Sequence, residues 1–360
     1  MTEKDFVPGP FPKKLSKGQA TWTAPSNIAL VKYWGKGPDQ VPANASVSLT
    51  LDVCTTTTTV YYTPLKKRAP DFSFDILLDG KINIGFKPKI HTFLRRIDPY
   101  LPFLKDVHIR IETTNTFPHS SGIASSASGM AALALCLLEM EKVANPDADE
   151  EYCNKKASFL ARLGSGSACR SIQGKVVHWG RHPNVEGSSD LYGIPYPYKI
   201  HPVFENYEDT ILIVHRGQKQ VSSTAGHDLM HNHPFASRRF EQANENVAQL
   251  QDILATGDLD RFIQMVEHEA LTLHAMMMTS VPYFILMEAN TLKIIKRIWA
   301  FRKRTGTHVC FTLDAGANVH LLYPQNERKE VVQFIYDELV ILCGEGQLIR
   351  DRIGSGALAR

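Results

Sequence analysis

Hydrophobic and polar positions alternate in several short, β-branched stretches of the chain: residues 20–24, 45–51, 55–62, 107–113 and 176–179. Successive side chains of a strand point to opposite faces, so this period of two predicts half-buried strands, with 45–51 and 55–62 paired. Pro25-Ser26-Asn27 reads as a turn, and Asp79-Gly80 as the turn of a hairpin joining 72–78 to 82–84. Apolar residues three and four apart predict helices over 87–101, 130–140, 147–163, 234–255, 259–278, 282–304 and 327–342. Asp147 or Asp149 suits an N-cap, Pro234 and Pro282 suit first turns, and Gly344 suits a stop. Residues 183–207 are rich in Pro, Gly and Tyr and have no period. Further strands follow at 209–215, 308–313 and 318–323. A domain boundary is therefore expected at the end of the aperiodic stretch, dividing the chain into 1–207 and 208–360.

Composition narrows the classes of function. The 360 residues are 43% hydrophobic and 21% charged, as in an ordinary globular protein. A net charge of +3 is too small to argue for a nucleic-acid or membrane partner. An anionic ligand would have to be held by local basic groups and backbone N–H. The six cysteines form no CxxC and read as reduced, buried thiols in a cytoplasmic protein. The first residues lack the apolar run of a secretory signal, and no stretch is long and apolar enough to predict a membrane span.

Chemistry concentrates at five places. The apolar run from Ile28 ends in Lys32-Tyr33-Trp34-Gly35-Lys36. Burying an unpaired ammonium is costly, so either both lysines snorkel to the surface or one faces an anion in a cleft. The strand at 107–113 leads into a loop with Pro118, Gly122 and the small residues Ser125-Ser126-Ala127-Ser128-Gly129, and then into an Ala- and Leu-rich helix. That order suits a phosphate cradle, because a helix start offers unpaired N–H groups and a positive dipole end; it also suits a plain Ser-rich cap. Gly164-Ser165-Gly166-Ser167-Ala168-Cys169-Arg170 is a second cluster of small residues, with one arginine. Ser222-Ser223-Thr224-Ala225-Gly226 is a third. Asp314, before Ala315-Gly316, is either an Asx turn or a carboxylate placed to orient a hydroxyl. Together these suit phosphoryl transfer, which depends on positioning and charge neutralisation. There is no GxxxxGK[ST] and no GxGxxG after a strand. His227, His231 and His233 lie close in sequence but lack an HExxH or Cys partner, which argues against a metal site; His268 and His274 read as packing or surface residues.

Four of these motifs resemble the mevalonate diphosphate decarboxylases, in the superfamily of small-molecule kinases that includes galactokinase, homoserine kinase and mevalonate kinase. The matching stretches are 24–36, 117–129, 164–171 and 312–318, in the family's order. The Ser-rich loop is similar to that of the whole superfamily, whereas Lys-Tyr-Trp-Gly-Lys and Gly-Ser-Gly-Ser-Ala-Cys-Arg resemble the decarboxylase branch.

The resemblance implies an α+β, two-domain GHMP-kinase-type fold. Its N-terminal part would be ribosomal protein S5 domain 2-like and its C-terminal part ferredoxin-like, with the active site between them. It implies ATP- and Mg2+-dependent decarboxylation of mevalonate 5-diphosphate to isopentenyl diphosphate, in a cytoplasmic homodimer. Asp314 would face the C3 hydroxyl and Arg170 would clamp the substrate carboxylate. Lys32 would sit beside the reacting hydroxyl. Tyr33, Lys36, Ser165, Ser167, Ser222, Ser223 and Lys89 would contact the substrate. Ser120, Ser121, Gly122, Ile123, Ala124, Ser125, Ser126 and Ser128 would hold the ATP phosphates, with Ser125 towards the metal. The chain departs from the family at His119-Ser120-Ser121, commonly Thr-Ala-Ala, and at Ala317, usually Pro. Thr224-Ala225 lacks the basic residue some relatives carry, which opens a 5-monophosphate as the alternative substrate. Residues 188–207 look longer than the family's connection.

Overall fold

The computed structural model describes residues 1–118, 123–146, 149–215 and 223–360. The first sheet contains β1 (Gly18–Val31), β2 (Ser46–Pro64), β3 (Ser73–Leu78), β4 (Lys81–Ile82), β5 (Val107–Asn115), β6 (Val176–Trp179) and β7 (Gly193–Pro195). β1 and β2 are its long antiparallel spine, in register from Gly18 opposite Tyr62 to Val31 opposite Val47. One edge of β2 pairs with β5 through Thr56–Pro64 and with β6 through Ser46–Leu49. β5 in turn takes β3 in parallel.

Two expectations change here. Pro25 does not turn the chain; β1 runs through it with a register shift between Pro25 and Asn27. Proline has no N–H for a ladder and is tolerated at such a bulge. Nor do residues 45–51 and 55–62 pair with each other. They are two halves of β2, and each faces β1. Alternation shows which residues share a face but not where a strand ends.

Helices cover the first sheet. They are α1 (Lys87–Ile97), α2 (Ser125–Ala144) and α3 (Glu150–Gly164). α2 is apolar nearly all round and is correspondingly buried from Ala127 to Met140 against the sheet and α3. Asp149 caps α3, accepting the Tyr152 N–H at 2.9 Å.

The second sheet has the antiparallel order β11-β8-β10-β9, from β8 (Tyr207–Leu212), β9 (Cys310–Thr312), β10 (Val319–Pro324) and β11 (Leu348–Arg352). Around it lie α4 (Ser223–Asp228), α5 (Ala236–Thr256), α6 (Leu259–Met278), α7 (Ala289–Thr305) and α8 (Arg328–Phe334). α7 starts seven residues after Pro282, so that proline is no first-turn residue. The expected last helix is α8 followed by a wider turn at Ile335–Leu339 and a tighter one at Val340–Leu342.

A shared core binds the two sheets together. Ile28, Leu30, Val47 and Leu49 of the first pack with Ile211, Val247, Phe262 and Val266 of the second half. The chain's end returns as β12 (Leu358–Ala359) to pair with β1. The carboxylate of Asp351, on β11, accepts three successive N–H groups from Asp52, Val53 and Cys54 at 2.7–2.8 Å. These ties fasten the last strands of the chain to β1 and β2 of the first sheet.

Candidate active site

β1 ends at Val31, and Lys32 follows it into the seam between the halves. Its ammonium lies 3.3 Å from Asp314 Oδ1. The lysine side chain is 2% exposed and the aspartate 26% exposed, so the pair opens on its carboxylate side. Burial pushes the Lys32 pKa below its usual value; Asp314 and Glu269 oppose that shift, and Arg170 adds to it. Carboxylates rather than water offset the cost of burying this side chain. The snorkelling alternative does not describe Lys32.

Four buried groups fix the backbone around this lysine. Glu269 of α6 accepts the Lys32 N–H at 2.7 Å. Arg239 and Asn44 donate to the Lys32 carbonyl at 3.2 and 3.0 Å. Arg239 and Asn246, both on α5, also donate to the Glu269 carboxylate. On the other side, His274 Nε2 donates to the Asp314 carbonyl at 3.1 Å, which makes its Nε2 the protonated nitrogen. Burial pushes the His274 pKa down to about 4, consistent with a neutral ring.

The Gly166–Ser171 turn brings Arg170 beside this pair. Asn27, just past the β1 bulge, donates to Ser171 Oγ at 2.7 Å and to the Ser167 carbonyl at 3.2 Å. The bulge therefore aims the side chain that anchors the turn. Arg170 is buried, donates to Ser46 Oγ and lies 5.7 Å over the Trp179 ring. Its Nε and the nearby Tyr33 hydroxyl are buried without a hydrogen-bond partner. Unpaired buried donors are costly, and two of them near the Lys32 side chain suit an anionic ligand that would satisfy both. Tyr33 is wedged between Trp179 and His227, with ring centroids 4.7 and 4.3 Å away. A side chain at Gly166 would come within 2.8 Å of the Tyr33 hydroxyl, so only glycine fits there. Lys36 hydrogen-bonds Gln40 at 3.3 Å, and burial lowers its pKa.

A cavity lies along α2. Ser125, Ser126, Gly129 and Lys89 line it with apolar residues such as Ile76, Phe86 and Met130. Lys89 thus shares a wall with residues expected to hold ATP. Ser126 meets Ser165 at 3.3 Å, so the start of α2 touches the segment that leads into the Gly166–Ser171 turn. Ala124 caps α2 in the left-handed region, at φ 45°. Ile123 accepts the Ser26 hydroxyl through its carbonyl at 2.6 Å. Ser128 is buried and bonded to Thr56 at 2.6 Å, which ties the helix to β2. Ser223 opens α4. Ser120, Ser121, Gly122 and Ser222 lie outside the described residues.

Several residues that shape the site escaped sequence reading. Glu269 had the clearest signal: it sits on the buried stripe of α6, three residues after Val266 and four before Leu273. His274 is neither a surface group nor mere packing, because it holds the Asp314 backbone. His227 accepts the Gly35 N–H at 2.9 Å, and His233 interacts with Met276 and Thr279. Among the described residues, no group of three or more metal-binding side chains is assembled. No described helix is long and apolar enough to cross a membrane.

Two-sheet α+β architecture, a small-residue helix start and an adjoining lysine–carboxylate pair define a protein of the GHMP type. Residues 24–190 match the diphosphomevalonate decarboxylase-like N-terminal domain, and residues 210–348 match the mevalonate 5-diphosphate decarboxylase C-terminal domain. The chain belongs to the diphosphomevalonate decarboxylase family. It is 31% identical to the diphosphomevalonate decarboxylase of Homo sapiens over 319 residues, 83% of this chain and 75% of the relative. It is similar to mevalonate diphosphate decarboxylase from Staphylococcus aureus, with a TM-score of 0.81 and 26% identity over 96% of this chain and 98% of that one. A structure of MDDEF in complex with MVAPP, AMPPCP and magnesium gives a TM-score of 0.80 and 28% identity, covering 96% and 99% of the two chains.

Proposed function

We propose that the seam between Lys32, Arg170 and Asp314 carries out ATP-dependent decarboxylation of mevalonate 5-diphosphate. Products are isopentenyl diphosphate, ADP, phosphate and CO2. The observation that carries this reading is the 3.3 Å contact between Lys32 and Asp314, which sets a buried ammonium beside a carboxylate that is 26% exposed. Asp314 orients the C3 hydroxyl and takes its proton as that oxygen attacks the terminal phosphoryl of ATP. Lys32 stabilises the negative charge that develops on this oxygen. The C3–O bond then breaks with loss of phosphate. The electron pair of the carboxylate's C–C bond becomes the new double bond, and CO2 departs. Arg170 binds that carboxylate, since its planar fork suits bidentate contact.

Tyr33, Lys36, Ser165, Ser167, Ser222 and Ser223 bind the substrate in this reading. Ser120, Ser121, Gly122, Ile123, Ala124, Ser125, Ser126 and Ser128 form the nucleotide loop. Within it, Ser125 and Ser126 have side chains on the cavity wall, whereas Ser128 holds the helix in place. Mg2+ would lie beside Ser125 and neutralise phosphate charge. Lys89, on the same wall, serves the phosphate chain. A homodimer and a cytoplasmic location belong to the same proposal, on the resemblance of the sequence to its family.

A substrate panel tests it. Mevalonate, its 5-phosphate and its 5-diphosphate are each supplied with ATP and Mg2+, and ADP and CO2 are followed together. Equal ADP and CO2 from the 5-diphosphate is the expected result. Turnover of the 5-phosphate alone would move the specificity to the monophosphate, consistent with Thr224 standing where some relatives carry a basic residue. ADP without CO2 would make the protein a kinase.

A further inference from the structure

Neither group of the Lys32–Asp314 pair is held by its own element alone. β1 has ended before Lys32, and Asp314 lies in the turn after β9. Both backbones are instead tied to one helix. Glu269 and His274 of α6 are five residues apart; the first accepts the Lys32 N–H at 2.7 Å and the second donates to the Asp314 carbonyl at 3.1 Å. Both side chains are buried, at 0% and 1% exposure.

We infer that α6 is a bracket that sets the separation of Lys32 and Asp314, with Glu269 and His274 as positioning residues for the reaction. Glu269 is itself held rigidly. Its two oxygens accept from Arg239 at 2.9 and 2.6 Å and from Asn246 at 2.6 Å, besides the Lys32 N–H. A carboxylate with its neighbours so paired has no freedom to re-aim. Arg239 reaches past it to the Lys32 carbonyl at 3.2 Å, so both sides of the Lys32 peptide are fixed. His274 is as constrained, because a neutral ring donating from Nε2 presents one proton in one direction. The Asp314 carbonyl also accepts the Gly316 N–H at 2.7 Å, which makes it the pivot of the turn. Loss of the histidine contact lets that turn, and the carboxylate on it, shift relative to Lys32. Displacements of about 1 Å at a reacting pair cost as much as ~100-fold in rate.

This inference rests on the function proposed above, and the test separates the two. Native protein, His274→Leu, His274→Gln and His274→Asn are compared. Leu keeps bulk but no donor. Gln places an amide N–H near the reach of Nε2, and Asn falls short of it. Single-turnover ADP and CO2 formation, substrate affinity and thermal stability are measured for each. The expected result is a roughly 10- to 100-fold slower single turnover in His274→Leu, with substrate affinity within about twofold. His274→Gln should return to within about threefold of native. Equal single-turnover rates in folded native and His274→Leu protein overturn the bracket. So does a loss in His274→Leu that His274→Gln fails to restore. If His274→Leu does not fold, His274→Asn takes its place under the same criteria. Absence of CO2 from native protein defeats the proposed reaction and not the placement of the helix.

Discussion

Among the described residues, a lysine is buried against a carboxylate in two places, and the two are built differently. Lys156 of α3 meets Glu141 of α2 at 2.6 Å, and both side chains are almost fully covered. Its partners are 15 residues apart on adjoining helices. Lys32 meets Asp314 at 3.3 Å across 282 residues, and the aspartate keeps a quarter of its surface. The first pair is short and almost fully covered. The second is longer and open, and it borders the Arg170 Nε and the Tyr33 hydroxyl, which are buried without a hydrogen-bond partner. Burial alone therefore does not mark a functional ion pair. What distinguishes the second is incomplete closure, with both backbones clamped by other residues.

Replacement of Asp314 by Asn gives the sharpest contrast. Turnover should fall ~1,000-fold or more while the melting temperature changes little, because Asp314 contributes to the reaction more than to the core. CO2 release and a thermal melt check it. Near-native CO2 release would move the catalytic carboxylate elsewhere and remove the basis of the comparison.

Glu141→Gln should do the reverse. It leaves an ammonium at 0% exposure without a counter-charge, which costs about 3–5 kcal/mol of stability. The turnover of the molecules that remain folded should be unaffected. The double change Lys156→Met with Glu141→Leu should recover most of that loss, since burial already pushes both groups towards their neutral forms. Urea titrations of the three proteins decide this. A double variant as unstable as the single would mean that the ion pair itself is needed for the packing of α2 on α3.

How much of this could be read from the sequence follows the range of each interaction. Local patterns found α6 at its actual ends, the Asp79-Gly80 hairpin and β6, because periodicity and turn chemistry act over a few residues. They missed that β2 is continuous, since its sheet neighbours decide where a strand stops. Lys32, Arg170 and Asp314 were noticed as lysines ending an apolar run, an arginine among small residues and an aspartate before a glycine. Their assembly in one seam depends on separations of up to 282 residues, which no window spans. Glu269 and His274 are harder still. Their partners are main-chain atoms of Lys32 and Asp314, and a backbone amide carries no letter in the sequence.

A smaller effect sharpens the comparison through pH. Two buried histidines lie on the open side: His274 against Asp314, and His178 near Arg170. Burial pushes each down to about 4, helped at His178 by His182 and Arg170 and opposed by the Gly180 carbonyl. Folding therefore favours their neutral forms. As pH falls from about 6.5 towards 4, the unfolded chain takes up protons that the folded protein refuses, so stability falls. At pH 5 each histidine should cost about 2 kcal/mol relative to pH 7. The closed pair holds no histidine of this kind: burial raises the Glu141 pKa and lowers that of Lys156. His178→Gln should thus lose less stability between pH 7 and pH 5 than the native protein, by about 2 kcal/mol in urea titrations. Glu141→Gln should not flatten the acid limb. An acid limb of unchanged slope in His178→Gln would mean that His178 is protonated in the folded protein, and the difference between the two sides would then rest on geometry alone.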